Sequence, residues 1–206
     1  DCVDVAKSIE SDSIHHVMFS PPFSSLYTYS NSVRDMGNVN GDGQFFEGFK
    51  YLIDELLRVM VPGRICAVHC MQLTTSKSRD GHIGLRDFRG EIIRAFVNAG
   101  FIYHSEVCIW KDPDIAMQRT KAHGLLYKTL KKDSSRSRQG IADTLLVFRK
   151  DGINPKPVSH TPEDFTLDDW QGWASPVWHV DQGDVLSFRE AREEKDERHI
   201  CPLQLE

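Results

Sequence analysis

The sequence has no excess of basic residues, no paired-cysteine motif and no long apolar run. Its 206 residues include 25 Lys and Arg against 30 Asp and Glu, which gives a formal net charge of −5. This balance excludes a surface that is basic throughout, as a general nucleic-acid coat would need, but it leaves room for a local basic patch. With 40% hydrophobic and 27% charged residues, the chain has the composition of one sizeable globular domain, alone or with an appendage.

The five cysteines are odd in number and widely spaced, and no CxxC pair occurs among them. Neither a zinc ribbon nor a disulfide framework is therefore indicated, and we expect reduced thiols and no metal site. Cys66, His69, Cys70 and Cys108 fit no standard metal-ligand spacing, and strand alternation predicts them as core residues. The lack of a membrane-spanning apolar run and of a secretion-signal pattern predicts a cytoplasmic protein without membrane contact.

Hydrophobic patterning predicts strands that alternate with helices. The strands are expected at residues 14–19, 65–69, 101–110 and 143–150, and the helices at 45–60 and 85–100, with the sequence VPGR at 61–64 ending the first helix. This alternation is typical of an α/β sheet with helices on its faces, in which ligands lie beyond the carboxyl ends of the strands.

The first strand ends in Ser20-Pro21-Pro22-Phe23. Two consecutive prolines cannot continue a strand or begin an ordinary helical turn, so the chain must leave the sheet in a fixed, extended shape. By itself the tetrapeptide is best explained as a strand-ending turn. Its place at the carboxyl end of a predicted strand also suits a loop that contacts a ligand.

In its surroundings the tetrapeptide resembles the catalytic motif of amino-directed DNA methyltransferases, which is written Asp/Asn/Ser-Pro-Pro-aromatic. The flanking segments are similar to those of the permuted (β-type) members: DCVDVAKSIESDSIHHVMFSPPF, LLRVMVPGRICAVH, GFIYHSEVCIWKDP, ADTLLVFRKDG and, at 199–206, HICPLQLE. The resemblance implies an α/β fold, the target-base half of a Rossmann-like sheet of the kind found in methyltransferases that use S-adenosylmethionine (AdoMet). The implied catalytic domain is 1–150, followed by a linker and Trp-rich, charged extension at 151–198.

The resemblance also implies a role for each residue of the motif. Ser20 Oγ and the Pro21 carbonyl oxygen would accept hydrogen bonds from the exocyclic amino group of a base, and Pro22 would help to keep that carbonyl in place. Phe23 would stack on the base, which must be flipped out of the duplex because its amino group is otherwise engaged in pairing.

AdoMet is the implied methyl donor, with Asp1 and Pro202 as the residues implied to bind it. The family's glycine-containing cofactor turn does not occur in the sequence and would follow residues 199–206. The natural protein is then longer, or is split so that the cofactor-binding half lies in another chain, or is a remnant that binds DNA without methylating it. The first account is favoured.

Residues 111–142 form a basic, Ser-rich segment between two predicted strands. Composition alone leaves a solvated surface loop and a phosphate-contacting loop equally open. Because the resemblance places a variable recognition segment between motifs, six basic residues become candidate DNA contacts: Arg119, Lys121, Lys131, Lys132, Arg136 and Arg138. The tryptophans at 170, 173 and 178 either form a local core or stack on bases, and packing is favoured.

These features predict a site-specific methyltransferase that acts on double-stranded DNA, at N4 of cytosine or N6 of adenine. A serine in the first motif position is more usual in family members that act on cytosine, which favours that base slightly. The implied setting is restriction-modification or phage-borne protection, with a restriction endonuclease as a candidate partner. The alternatives are a non-catalytic or split DNA-binding module and a methyltransferase of RNA or of a protein amide.

Overall fold

The computed structural model describes residues 1–24, 32, 35–39, 41–114 and 126–179. Its helices are α1 (Cys2–Lys7), α2 (Asp42–Val59), α3 (Lys77–Asp80), α4 (Phe88–Ala99), α5 (Tyr127–Lys132) and α6 (Leu167–Trp173). Its strands are β1 (Ile14–Phe19), β2 (Met60–Met71), β3 (Leu73–Thr74), β4 (Leu85–Arg86), β5 (Phe101–Trp110), β6 (Asp143–Lys150) and β7 (Val177–His179). Short 3₁₀ turns cover Met36–Asn38 and Ser134–Arg136.

In the part of the chain that the structure describes, five strands form one sheet in the order β1-β2-β6-β5-β7. β1 runs parallel to β2 and β7 parallel to β5, whereas β6 is antiparallel to both of its neighbours. The carboxyl ends of β1, β2 and β5 therefore meet the amino end of β6 at one edge of the sheet. We call this the carboxyl edge, and the predicted motif at Ser20 lies there.

Helix α2 supplies much of the apolar core on one face of the sheet. Phe45, Phe49 and Ile53 recur every four residues and are each at most 1% exposed, because this spacing places them on one side of the helix. Phe96 of α4 stacks on Phe148 of β6 with ring centroids 4.2 Å apart, which joins the second long helix to the same core. The opposite face of the sheet carries a smaller cluster of Ala67, Ile109 and Leu145 with Trp178 packed against it.

The bounds predicted for β1, β5 and β6 are confirmed, but the start of β2 is wrong. Pro62 and Gly63 were expected to separate the first helix from a strand beginning at residue 65. Instead the extended Met60 ends α2 and begins β2 directly. The register between β1 and β2 shifts between Ile14 and His16, and this irregularity accommodates the Pro-Gly pair within the strand.

The segment after residue 150 is joined to the sheet. β7 lies within it and pairs with β5, so the predicted extension contributes the fifth strand. Trp178 packs against the second face of the sheet, and its Nε1 donates to the carbonyl oxygen of Trp173 at 3.2 Å. Trp170 and Trp173 remain 52% and 58% exposed. Packing therefore accounts for Trp178, and only in part for the other two.

Gly63 provides a test of this unusual strand. Its φ of +76° is left-handed, and a Cβ there would lie 2.6 Å from the backbone nitrogen of Asn154. Gly81 has a matching φ of +77° with nothing within 4 Å of its added Cβ. We expect Gly81→Ala to lower the free energy of unfolding by about 1 kcal/mol through backbone strain alone. Gly63→Ala should cost at least about 1 kcal/mol more, because the clash adds to that strain. Equal losses in urea titrations would show that the segment around Asn154 moves away at no cost.

Candidate active site at the carboxyl edge of the sheet

The chain leaves β1 through the two prolines of the motif. Pro21 is buried and Pro22 half-buried, and the backbone N–H of Ser24 donates to the Pro22 carbonyl oxygen at 2.9 Å. Ser24 has φ +48°, an uncommon value for a residue other than glycine, and it is fully buried. The proline rings and this tight turn fix the backbone that follows Ser20.

The Ser20 hydroxyl contacts His69 through two different acceptors. Ser20 Oγ donates to the His69 carbonyl oxygen at 3.1 Å and lies 3.3 Å from His69 Nδ1. A hydroxyl has one hydrogen and two lone pairs. Because both nearby acceptors for that hydrogen belong to His69, the lone pairs of Ser20 Oγ are left to accept from another group.

His69 is held from its other side by Asp143. His69 Nε2 lies 2.9 Å from Asp143 Oδ2, and an ionised carboxylate can only accept a hydrogen bond. Nε2 therefore carries the hydrogen, and the lone pair of Nδ1 faces Ser20. Lys111 Nζ lies 2.5 Å from the same Asp143 oxygen. Residues from β1, β2, β6 and the end of β5 thus form one polar chain, Ser20–His69–Asp143–Lys111.

Asp143 is ionised although its side chain is only 9% exposed. Burial acts to raise the pKa of this carboxyl, but the hydrogen bond from His69 and the charge of Lys111 outweigh it, and the pKa lies below its ordinary value. Asp143 Oδ1 is buried without a hydrogen-bond partner among the described residues. The buried Asp143 carboxylate is therefore paired with the Lys111 ammonium and hydrogen-bonded to His69.

The prediction that His69 is a core residue like its cysteine neighbours is wrong. Cys66 and Cys70 do face the main core, and burial raises the pKa of each thiol to about 12. His69 points to the opposite face and joins the polar chain. The sequence prediction also missed Asp143 and Lys111. The rule that ligands lie at the carboxyl edge, applied to each strand rather than to β1 alone, would have singled out His69 and Lys111. Asp143 begins β6, and only the antiparallel placement of that strand brings it to the same edge.

Phe23, the residue predicted to stack on a flipped base, packs within the protein core. Its ring is 6% exposed and meets Phe88 edge-on with centroids 6.3 Å apart, within the main core. In this arrangement Phe23 anchors the motif to α4. Stacking of Phe23 on a base stays a prediction.

Asp1, predicted to bind the cofactor, caps the amino end of α1. Its Oδ1 accepts from the Val3 N–H at 2.8 Å, and its side chain is exposed. Arg58 of α2 holds this helix in place by donating to the carbonyl oxygens of Ala6 and Ile9 at 2.9 and 3.0 Å. Pro202, the other predicted cofactor residue, lies outside the described residues.

Four of the six predicted DNA contacts lie in the described part of the chain, and Arg119 and Lys121 lie outside it. Lys131 and Lys132 are in the last turn of α5, where Lys131 Nζ sits 5.1 Å from the Tyr127 ring centroid. Arg136 pairs with Asp133 at 3.3 Å and its side chain is 75% exposed. Arg138 is half-buried, and burial lowers its pKa.

Comparison with known proteins shows the fold. No family model and no curated protein matches the sequence. A Thermus thermophilus protein assigned as a DNA modification methylase, solved in complex with AdoMet, is similar in structure with a TM-score of 0.64 and 19% identity, over 87% of this chain and 63% of that one. PvuII DNA methyltransferase, which is cytosine-N4-specific, is similar with a TM-score of 0.54 and 16% identity, over 87% of this chain and 55% of that one.

The fold is that of an AdoMet-dependent methyltransferase. The predicted fold class is thereby confirmed. The chain spans less than two thirds of the length of either protein, so the likeness concerns part of a methyltransferase sheet. In the part of the chain that the structure describes, no helix is long and apolar enough to cross a membrane, and no three His, Cys, Asp or Glu residues are grouped to hold a metal ion.

The Lys111–Asp143 pair predicts a measurable coupling. Asp143→Asn leaves the Lys111 ammonium without its carboxylate, and Lys111→Met leaves the buried carboxylate without its cation, so each change should destabilise the protein. The double variant should lose less than the sum of the two, by about 1 kcal/mol or more.

Urea titrations at neutral pH and in acid measure this coupling. The folded pKa of Asp143 lies below its unfolded value near 3.8, so the contribution is fully present above that pH. It is lost as the pH falls through the folded pKa. Additive losses at neutral pH would mean that the two groups do not interact.

Proposed function

We propose that the protein is an AdoMet-dependent DNA methyltransferase that methylates the exocyclic amino group of a flipped base. The observation that carries the proposal is the pair of contacts from Ser20 Oγ to His69, at the carboxyl edge of a methyltransferase fold. In such folds, as in other α/β sheets, ligands lie at this edge.

The reaction requires hydrogen-bond acceptors that face the hydrogens of the amino group. The nitrogen lone pair of cytosine N4 or adenine N6 is delocalised into the ring, so the nitrogen is a poor nucleophile until its hydrogens are drawn toward acceptors. Ser20 Oγ is such an acceptor because its own hydrogen is directed at His69. The Pro21 carbonyl is the second acceptor, and the two prolines preorganise it without cost at the moment of reaction.

A Ser-His-Asp arrangement also occurs in hydrolases, but the residues after Ser20 argue against acyl transfer. In α/β-hydrolases the backbone N–H that follows the nucleophile helps to form the oxyanion hole. Here Pro21 follows Ser20, and proline has no backbone N–H. The same proline supplies a rigid carbonyl, which suits a reaction that needs an acceptor rather than a donor.

AdoMet is the proposed methyl donor, and when bound it supplies a methyl carbon activated by a sulfonium. One of the similar structures is a complex with AdoMet. The exposed Asp1 carboxylate has the chemistry to accept from an adenine amino group or a ribose hydroxyl, and Asp1 and Pro202 remain our candidates for binding it. The rest of the cofactor site would come from further residues of the same chain or from a second chain.

The proposed substrate is double-stranded DNA, and N4 of cytosine is favoured over N6 of adenine. The serine of the motif supports this choice, and one similar structure is a cytosine-N4-specific enzyme. A restriction endonuclease is the corresponding partner for a modification enzyme. The rival proposal is a methyltransferase-like module that binds DNA without catalysis.

Nucleoside mass spectrometry tests the reaction. The full natural protein is expressed in a methylation-free host, and plasmid DNA should then contain N4-methylcytosine or N6-methyladenine. Ser20→Ala should reduce the modification at least about 100-fold, because an acceptor aimed at the reacting nitrogen is lost. Ser105→Ala, an exposed serine of β5 whose hydroxyl contacts the adjacent His104, is the matched control and should leave it unchanged. Unmodified DNA with soluble wild-type protein would favour the binding module.

Salt-dependent binding tests the basic segment. Arg136→Ala and Lys132→Ala should each weaken duplex binding and lower the slope of log K against log salt by about 0.9, the value for one phosphate contact. The preferred sequence should not change, because phosphate contacts carry no base information. Lys50→Ala, on the exposed side of α2, is the charge-matched control. If the loop variants behave like Lys50→Ala, residues 126–142 do not contact DNA.

A further inference from the structure

The methyl transfer proposed above leaves a proton to be removed. When the amino nitrogen forms its bond to the methyl carbon, it gives up its lone pair and then carries one proton too many. Serine cannot keep this proton, because a protonated hydroxyl is a very strong acid. A motif that begins with serine, rather than with a carboxylate, therefore needs a base behind the serine.

We propose that His69 is this base and acts through Ser20, an inference that rests on the proposed function. The N–H bond of the methylated amino group breaks as its proton passes to Ser20 Oγ. The original Ser20 proton passes to the lone pair of His69 Nδ1, so the hydroxyl is restored. The products are a neutral methylated amine and an imidazolium at His69, whose charge faces the Asp143 carboxylate.

The contacts at His69 provide the required tautomer and path. The 2.9 Å contact with Asp143 places the hydrogen on Nε2, which leaves Nδ1 as an acceptor 3.3 Å from Ser20 Oγ. The Ser20 hydrogen has the His69 carbonyl oxygen as its other acceptor at 3.1 Å. Rotation about the Cβ–Oγ bond moves it from one to the other. Contacts of this kind are often long before substrate binds and shorten in the complex.

The charged groups around His69 determine how readily it holds and releases the proton. Ser20 faces it from the end of β1, Asp143 from β6 and Lys111 from the end of β5. Cys70, beside it on β2, stays neutral because burial raises its pKa to about 12. Asp143 stabilises the imidazolium, whereas Lys111 shares the same carboxylate oxygen and opposes it. His69 is therefore a positioning residue for Ser20 and a transient proton carrier.

A purely structural role for His69 makes a different prediction from a proton-carrying role. His69→Gln places an amide that can still donate to Asp143 but cannot take up a proton. Under the proposal, the single-turnover methylation rate of His69→Gln falls about 100-fold or more, the usual contribution of a general base. The KM values for DNA and AdoMet stay within about two-fold, because ground-state binding is not altered.

The pH profile of the single-turnover rate separates the roles further. The wild-type rate should fall in acid through one titration, because protonated His69 cannot accept a proton, and this limb should be absent in His69→Gln. An unchanged rate and an unchanged acid limb in His69→Gln, with an active wild type, would overturn the proposal and leave the methyltransferase function standing.

Nitrogen NMR of the histidine rings provides a readout that does not require activity. The signals of His69, identified by their loss in His69→Gln, should show the Nε2–H tautomer at neutral pH. The Nδ1–H tautomer would overturn the relay whatever the enzyme does. If the wild type has the Nε2–H tautomer but methylates no nucleic acid, the proposed function fails, and the proton-carrying role of His69 fails with it.

Discussion

The parallel pairing of β1 with β2 is the constraint on which the candidate site depends. Phe19 is registered with Val68, so the residues that follow them, Ser20 and His69, meet where β1 ends. Successive side chains of a strand point to opposite faces, so a slip of one residue would place Ser20 beside Val68 or Cys70, which face the main core. The two prolines after Ser20 keep the motif at this point, and Phe23 anchors it beneath α4.

A second constraint is the buried carboxylate of Asp143. An ionised carboxyl in an apolar setting is costly unless it is paired, and His69 and Lys111 provide that pairing. Buried ion pairs often add little to stability, because the loss of hydration offsets the attraction between the charges. The arrangement is better understood as fixing the tautomer and direction of His69, and through His69 the direction of the Ser20 hydroxyl. A rigid acceptor at the edge of the sheet is what methylation of an amino group requires.

The two faces of the sheet have different roles near this edge. Cys66, Val68 and Cys70 contribute to the large aromatic core beneath α2 and α4, which packs one face of β2. Residues on the alternate positions of the same strand face the smaller cluster and the polar chain. Strand alternation thus allows one strand to serve both the core and the site. β7, which pairs with β5 and brings Trp178 to the second face, helps to cover that side.

The sequence by itself determined the strands at 14–19, 101–110 and 143–150, the apolar side of α2 and the place of the motif at a strand end. These features depend on local periodicity and on proline, whose effects are carried by neighbouring residues. Only the tertiary structure decided that β2 begins at Met60, that Phe23 lies in the core and that His69 joins a polar chain. Ser20 and His69 are 49 positions apart, and His69 and Asp143 are 74 positions apart. Their contacts follow from strand order and register, which no local pattern in the sequence encodes.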